Sequence, residues 1–242
     1  MKNYILLFTI AFVLICCTKD AEVNDVLQNL KLNQSEVFAD GQSTISISVE
    51  LSNKSSTDRR SVIFSASGGV FTGSGSNKHT VKAEYENGIL TAKTTLRVST
   101  QPGTIKVSVQ PEFDSPIKEF ILTDSAIAKV SQPVSIKLEP SSLGIASNSL
   151  TEVQLTGNLK NSSGKFVSKG SIVLFEDFVT GGPANGHFRS IQNTTTDSSK
   201  VSAIYGAGTY PIGTLIKIRT TVLDGSGLAT NIKDSIFLTI NQ

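Results

Sequence analysis

The stretch Thr44-Ile45-Ser46-Ile47-Ser48-Val49-Glu50-Leu51 decides the fold of this 242-residue chain. Apolar residues occupy every second position, and Thr, Ser or Glu occupies the positions between them. In a β-strand, successive side chains point to opposite faces, so this pattern predicts a strand with one buried face and one wet face.

The same alternation recurs along most of the chain. It is found at Leu30 and Leu32, at Val153 and Leu155, at Ile216 and Ile218, and in the stretches 90–96, 105–109, 134–138, 172–175, 201–205 and 236–240. Turn-forming Gly, Ser, Asn and Pro separate these short runs, and no stretch after the N-terminal segment carries a helical stripe. The sequence therefore predicts an all-β fold of antiparallel sandwiches.

The second half of the chain repeats the first at an offset of roughly 106 to 110 residues. Residues 62–65 align with 172–175, and Gly103 aligns with Gly213. We therefore expect one domain over 29–124, a linker over 125–132 and a second domain over 133–242. Pro133 fixes its own backbone and biases Gln132 toward an extended conformation, which predicts a restricted hinge.

The N-terminus has the layout of a secretory signal. Lys2 precedes an apolar run over 4–15, and Cys16 and Cys17 end the run. The run is about half of the roughly 20 residues that a membrane-spanning helix needs. Either 1–16 is a cleaved signal peptide, or the two cysteines are small apolar residues of an uncleaved segment.

Leu14-Ile15-Cys16-Cys17 resembles a bacterial lipobox, in which a peptidase cuts just before a cysteine that carries a diacylglycerol. The residue before the cut must be small. Cys16 is small and Ile15 is not, so we expect Cys17 to be the lipidated residue. Residues 17–28 are then a flexible tether. Its acidic residues resemble the surface-export signal of Bacteroidota lipoproteins, and a plain solvated spacer is the alternative.

Composition excludes several classes of function. The chain has 22 basic and 20 acidic residues. Its net charge of +2 is too small to attract nucleic acid. Once Cys17 is acylated and Cys16 is removed, no disulfide, zinc site or cysteine nucleophile can form.

No catalytic or metal-binding pattern is present either. His79 and His187 lie in different halves, and the adjacent Glu176 and Asp177 point to opposite sides of an extended chain. We therefore expect that the protein is not an enzyme, that it binds no metal or other cofactor, and that it has no small-molecule substrate.

The segment 178–189 is the longest candidate loop. Its Gly and Pro residues bury little apolar surface, so we expect its replacement to leave the melting temperature nearly unchanged. Asn185, His187 and Arg189 would offer polar contacts to a ligand at an exposed tip. The alternative is an inert hairpin.

Two segments resemble the group 1 bacterial immunoglobulin-like domain of the invasin and intimin adhesins. The first segment is Ala39-Asp40-Gly41-Gln42-Ser43 with the strand that follows it. The second has Gly164, Val167, Gly170, Val173, Phe175, Phe188, Thr196, Asp197, Ser199 and Ala203. The first half lacks the usual Gly-rich turn before Val62, and the second half lacks the Asp-Gly turn. The resemblance implies two tandem immunoglobulin-like antiparallel β-sandwiches after a lipoprotein signal peptide, in a bacterium of the Bacteroidota.

Together these features predict a non-enzymatic protein of the cell envelope, lipid-anchored in the outer membrane and possibly exposed at the cell surface. The residue directly after Cys17 is Thr18 and not Asp. In the systems that the lipobox resembles, this favours sorting of the lipoprotein to the outer membrane. The domains would serve adhesion or contact with a protein or host-surface ligand. The alternative function is a structural or accessory subunit of an envelope secretion or nutrient-uptake complex.

Overall fold

A computed structural model describes residues 23–112 and 120–241, and these residues are predominantly β-strand. Within them, helical structure is limited to one turn of α-helix, α1 (Val23–Val26), and the 3-10 helices Thr57–Arg59 and Ser147–Ser149. The described residues hold no helix with the length and apolar character needed to cross a membrane. The predicted all-β class is confirmed, while Cys17 and the predicted signal peptide lie outside the described residues.

The first domain is a sandwich of two sheets. Its strands are β1 (Leu27–Leu32), β2 (Glu36–Phe38), β3 (Thr44–Leu51), β4 (Ser61–Ala66), β5 (Val70–Phe71), β6 (Lys78–Lys82), β7 (Glu84–Glu86), β8 (Ile89–Arg97), β9 (Gly103–Pro111) and β10 (Leu122–Lys129). One sheet has the order β1-β3-β8-β5, with β7 also on β8, and the other has the order β2-β10-β9-β4-β6. The described pairs are antiparallel except β2 with β10.

The second domain repeats this architecture. Its strands are β11 (Ser135–Pro140), β12 (Gly144–Ile145), β13 (Glu152–Lys160), β14 (Val173–Val179), β15 (Gly182–Pro183), β16 (His187–Gln192), β17 (Lys200–Gly206), β18 (Leu215–Leu223) and β19 (Ala229–Ile240). The sheets have the orders β11-β13-β17-β16 and β12-β19-β18-β14-β15. The parallel pair is again the one between an early strand and the last strand, β12 with β19.

Each domain buries its own hydrophobic core between its two sheets. In β3, the apolar residues of the alternating stretch are at most 4% exposed, as predicted from their period. Phe64 and Phe71 are the largest side chains of the first core, and Tyr205 is the largest of the second. Among the residues that the structure describes, the two cores have no member in common.

The structure corrects two of the predicted boundaries. Leu27, assigned to the tether, lies in β1 and is fully buried in the first core. The predicted linker over 125–132 is largely strand, because β10 continues to Lys129 and buries Ala126 and Ala128. Alanine is a weak marker of a strand, so its alternation was not recognised in the sequence.

The predicted alignment of the two halves is also off by one residue in β4 and β14. Val62 and Phe64 are buried in β4, and Val173 and Phe175 are buried in β14. Val62 therefore corresponds to Val173 and not to residue 172. A shift of one residue exchanges the two faces of a strand, so this correction decides which side chains of the second domain face outward.

The two domains are joined by buried polar contacts centred on Ser168. Its hydroxyl donates to the carbonyl oxygen of Ala39 at 2.9 Å and accepts from the Ser131 amide at 2.8 Å. Ser168 is 2% exposed and Ser131 is 1% exposed, so both hydroxyls lie in an environment where an unpaired polar group would be costly. The contact links the first domain, the connecting segment and the second domain.

Further contacts across the same joint come from the resembling segment around Asp40. Lys165 Nζ donates to Ser43 Oγ at 3.0 Å and lies 3.7 Å from Asp40 Oδ2. Burial raises the pKa of Asp40, but hydrogen bonds from Ser43 and Gln42, with the charge of Lys165, outweigh burial and lower the pKa overall.

Thr100 completes the joint. Its hydroxyl donates to Asp197 Oδ1 at 2.8 Å, and its carbonyl oxygen accepts from the Lys169 amide at 2.9 Å. Hydrogen bonds from two turns of the first domain therefore hold the second domain, in addition to the restriction expected from Pro133.

Candidate functional site

The predicted loop 178–189 is largely part of the sheets. Phe178 lies in β14, which pairs with β15 across a tight turn, and β16 begins at His187. His187 and Arg189 are therefore strand residues, and of the three predicted binding residues only Asn185 lies in a connection. The run of Gly and Pro residues indicated a loop, but here these residues form a two-residue strand and its turns.

Asp177 and Tyr205 hold this segment against the second core. Tyr205 is fully buried, and its hydroxyl donates to Asp177 Oδ2 at 2.8 Å. The same carboxylate oxygen accepts from the Gly186 amide at 3.1 Å, and the Asp177 carbonyl oxygen accepts from the Ala184 amide at 3.1 Å. Burial, reinforced by the hydrogen bond to Asp177 and its charge, raises the pKa of Tyr205 far above the usual value.

Gly186 is required at its position because of this packing. A Cβ atom there would lie 2.2 Å from Tyr205 Oη, well inside contact distance. Ala184 is 8% exposed, and the Phe188 ring lies 5.0 Å from the ring of Tyr205. The segment is therefore a packed part of the sandwich, contrary to the prediction that it buries little.

Three segments meet at one end of the second domain and form what we call the end surface: the connections 147–149 and 207–210, and 185–187, which leads into β16. The Asn185 amide donates to the Tyr210 hydroxyl at 2.7 Å, and the Tyr210 amide donates to Ser147 Oγ at 2.9 Å. The Asn148 amide donates to the Gly208 carbonyl oxygen at 3.1 Å. These bonds fix the backbone of the end surface and leave the Asn185 residue exposed.

The end surface corresponds to the end of the first domain that carries the joint. In the first domain, the turn between β2 and β3 contains Asp40 and contacts the second domain. In the second domain, the turn between β12 and β13 contains the 3-10 helix Ser147–Ser149 and belongs to the end surface. The Ser-Asn-Ser run of this turn is typical of turns, but its position in a site depends on the other two segments, which lie far away in the sequence.

His187 and Arg189 are brought together by Glu152 of β13. Arg189 makes a bidentate pair with the Glu152 carboxylate through Nε and an Nη, and His187 Nε2 lies 3.9 Å from Glu152 Oε1. The hydrogen bonds of Arg189 lower the pKa of Glu152. The charge of Arg189 is thus already paired within the domain.

Ser149, His187 and Glu152 lie near one another but lack the geometry of a nucleophilic triad. Ser149 Oγ is 3.2 Å from His187 Nδ1 and also donates to the Ala207 carbonyl oxygen at 2.9 Å. The 3.9 Å separation between His187 and Glu152 is too long for the hydrogen bond that would orient the ring. This arrangement can offer polar contacts to a ligand.

The other sequence-predicted candidates have structural partners. His79 Nδ1 lies 2.9 Å from Thr94 Oγ1, and the His79 ring packs near Phe71. Glu176 and Asp177 point to opposite faces of β14, as predicted: Glu176 pairs with Arg219, and Asp177 bonds Tyr205. Over 23–112 and 120–241, no cluster of three or more His, Cys, Asp or Glu residues could hold a metal ion.

No family model matches the chain, and no curated protein matches it. Among solved structures, invasin, a bacterial integrin-binding protein, matches with a TM-score of 0.57 at 16% identity, covering 88% of this chain and 39% of invasin. The Yersinia pseudotuberculosis adhesin InvE matches with a TM-score of 0.47 at 17% identity, covering 92% of this chain and 62% of InvE. A glycosyl hydrolase family 2 member from Bacteroides cellulosilyticus matches with a TM-score of 0.35 at 10% identity, covering 84% of this chain and 24% of the hydrolase.

The likeness to invasin shows the fold: tandem immunoglobulin-like β-sandwiches of the invasin type. The chain spans less than two thirds of the length of both adhesins. At this level of identity the fold is shared while function must be argued from the site itself.

Proposed function

We propose that this protein is a non-enzymatic, lipid-anchored protein of the bacterial cell envelope that presents two immunoglobulin-like domains for adhesion or protein contact. The observation that carries the proposal is the polar joint between the domains. Ser168, Lys165 and Thr100 bond across it, so the second domain is held in a set orientation to the first. A fixed orientation allows a contact protein to present one surface outward.

The fold supports this proposal. Invasin, which has the same kind of sandwich, is a bacterial integrin-binding protein. In the present chain the joint occupies one end of the first domain, and the end surface is the corresponding end of the second domain. With the chain anchored through Cys17, the second domain and its end surface follow the first domain along the chain away from the membrane.

The proposed anchor is Cys17, because the residue before it, Cys16, is small, as the cleavage site of a lipobox requires. Each buried CH2 group of an acyl chain contributes about 0.8 kcal/mol, and two or more chains hold a protein stably in one leaflet. Residues between Cys17 and α1 then connect the lipid to the first domain. In this arrangement the protein lies in the outer membrane, and its domains extend from the membrane surface.

Metabolic labelling with a palmitate analogue tests the anchor. The wild-type protein and Cys16→Ala should incorporate the label, and Cys17→Ala should accumulate as an unlabelled precursor. Cys16→Ala is the matched control because it keeps a small residue before the cut. Label that persists in Cys17→Ala would contradict the assignment.

Attachment of intact cells tests the contact function. Cells that carry the protein should attach to host extracellular matrix or to neighbouring cells more than cells that lack it, and protease treatment of intact cells should remove the difference. Cells with the Cys17→Ala variant should behave like cells without the protein. If attachment is unchanged and crosslinking instead recovers transporter or secretion components, the accessory role in an envelope complex replaces the proposal.

A further inference from the structure

The outward face of the second-domain sheet carries two aromatic side chains on either side of a lysine. Lys217 of β18 is paired with Phe178 of β14 on one side and with Phe237 of β19 on the other. Phe237 is 55% exposed and Phe178 is partly exposed. Strands lie about 4.8 Å apart, so the two rings stand about 10 Å from each other with the lysine between them.

The first domain provides an internal comparison. Its equivalent strand β9 has Lys106 at the same position, one residue before the buried Val107, as Lys217 precedes the buried Ile218. Lys106 pairs with Ser125 of β10, and its amide donates to Ser67 Oγ on the other side. The repeat thus keeps the lysine and replaces two flanking serines by phenylalanines. The fold itself does not require aromatic residues there, since the first domain forms the same sheet without them.

The next row along the sheet extends this surface. Arg219 donates two hydrogen bonds to Glu176 at 3.0 and 3.1 Å, and its guanidinium lies 4.4 Å from the centre of the Phe178 ring. Leu174 and Leu215 are 42% and 54% exposed in the same strands. The first-domain positions that correspond to Glu176 and Arg219 are Ser65 and Ser108. We call this surface the aromatic face and define it by Leu174, Phe178, Leu215, Lys217, Arg219 and Phe237.

Charge on and beside the aromatic face is mostly positive. Glu176 is already paired with Arg219. Lys217 and the neighbouring Lys233 of β19 have no acidic partner within 23–112 and 120–241. A binding partner of complementary charge is therefore acidic.

We propose that the aromatic face docks a protein segment that combines acidic and apolar side chains. A carboxylate of the segment pairs with Lys217, and the flanking apolar side chains cover Phe178 and Phe237. Aromatic residues and arginine are enriched where protein partners bind, and exposed apolar patches of this kind mark such sites. This inference rests on the proposed contact function and names the surface and the class of partner.

Three 12-residue peptides with the same Leu and Phe positions are suitable probes: one with Asp and Glu between them, one with Asn and Gln, and one with Lys. Binding to the full-length protein, held in lipid nanodiscs of neutral phosphatidylcholine, is measured by fluorescence anisotropy of the labelled peptides. The acidic peptide should bind at least about tenfold more tightly than the lysine peptide. Lys217→Glu and Phe237→Ser should each weaken its binding by about tenfold or more, and the first-domain control Lys106→Glu should not.

Several results would overturn the inference. Equal binding of the acidic and lysine peptides, or an equal effect of Lys106→Glu and Lys217→Glu, would show that the aromatic face does not select acidic partners. Binding to phosphatidylglycerol vesicles that requires Phe237 while the acidic peptide does not bind would assign the face to a membrane surface. Self-association that is lost in Phe237→Ser would assign it to a second copy of the chain. Each of these results leaves the cell-attachment test of the proposed function unaffected.

Discussion

The hydroxyl of Tyr205 donates a hydrogen bond to Asp177 Oδ2 at 2.8 Å, and this bond connects the two sheets of the second domain. Tyr205 lies in β17 of one sheet and Asp177 in β14 of the other. The same carboxylate oxygen also accepts from the Gly186 amide. Asp177 therefore positions the start of β16 as well.

Removing the hydroxyl in Tyr205→Phe should lower the free energy of unfolding by about 1 to 3 kcal/mol, since Asp177 loses a buried donor. Urea denaturation measures the change, and amide exchange of Gly186 should become faster. Tyr85→Phe is the matched control because Tyr85 is 52% exposed. A change within about 0.5 kcal/mol for Tyr205→Phe would mean that the bond contributes nothing to stability.

Tyr205 also makes stability depend on pH in the alkaline range. Its pKa is raised in the folded state, whereas a tyrosine in the unfolded chain ionises with a pKa of about 10. The contribution of Tyr205 is therefore complete below about pH 10 and is lost as the pH rises above that value, by at most about 1.4 kcal/mol per pH unit. Urea midpoints measured across this range should fall more steeply for the wild type than for Tyr205→Phe, and parallel curves would contradict the assignment.

Ser168→Ala should uncouple the domains. The substitution leaves the Ala39 carbonyl oxygen and the Ser131 amide without their shared partner in a buried joint, at a cost of about 1 to 3 kcal/mol. Small-angle scattering should report a broader distribution of domain orientations, and calorimetry should separate two transitions. Ser163→Ala, at an exposed position of the same domain, should show neither effect.

Replacement of 181–186 by a Gly-Ser linker should lower the melting temperature. The replacement removes the buried Ala184 side chain and loosens the backbone that bonds Asp177 and Tyr210. A loss of only about 1 kcal/mol lowers the melting temperature by roughly 4 °C in a domain of this size. Asn185→Ala, which changes an exposed side chain, should leave it unchanged. An unaltered melting temperature in the linker variant would restore the prediction of a loosely attached loop.

A fragment of residues 23–130 should fold alone, but one of residues 24–125 should not fold stably. The shorter fragment lacks Ala126 and Ala128 from the core and removes the segment of β10 that pairs with β2. Circular dichroism and the dispersion of amide proton resonances distinguish folded from unfolded chains. Equal dispersion in the two fragments would show that the end of β10 is dispensable.

Local patterns were sufficient to predict the strands and the fold class. The alternation in β3 is visible in eight consecutive residues, and its buried face is the one predicted. Ala126 and Ala128 were missed because alanine carries little strand signal, so a real strand was interpreted as a linker. The two-residue strand β15 was missed because its Gly and Pro residues are typical of turns.

The geometry of the candidate site could not be predicted from the sequence, because it depends on contacts between residues that are far apart in the chain. Ser168 bonds Ala39, which lies 129 positions earlier, and Asp177 bonds Tyr205, which lies 28 positions later. The predicted residues His187 and Arg189 are close to each other as the sequence suggested, but their shared partner Glu152 comes from another strand. The joint between the domains, the packing of the two sheets and the pairing of strands within a sheet bring these groups together.

The parallel pairs at the edges of the two domains have a mechanical consequence. In the first domain β2, near the entry of the chain, runs parallel to β10, from which the chain leaves, and in the second domain β12 is related to β19 in the same way. Tension between the two ends of a domain pulls such strands in opposite directions along their length. Their hydrogen bonds lie across the line of force, so they are loaded in shear and must break together. This strand arrangement therefore resists extension of each domain between its two ends.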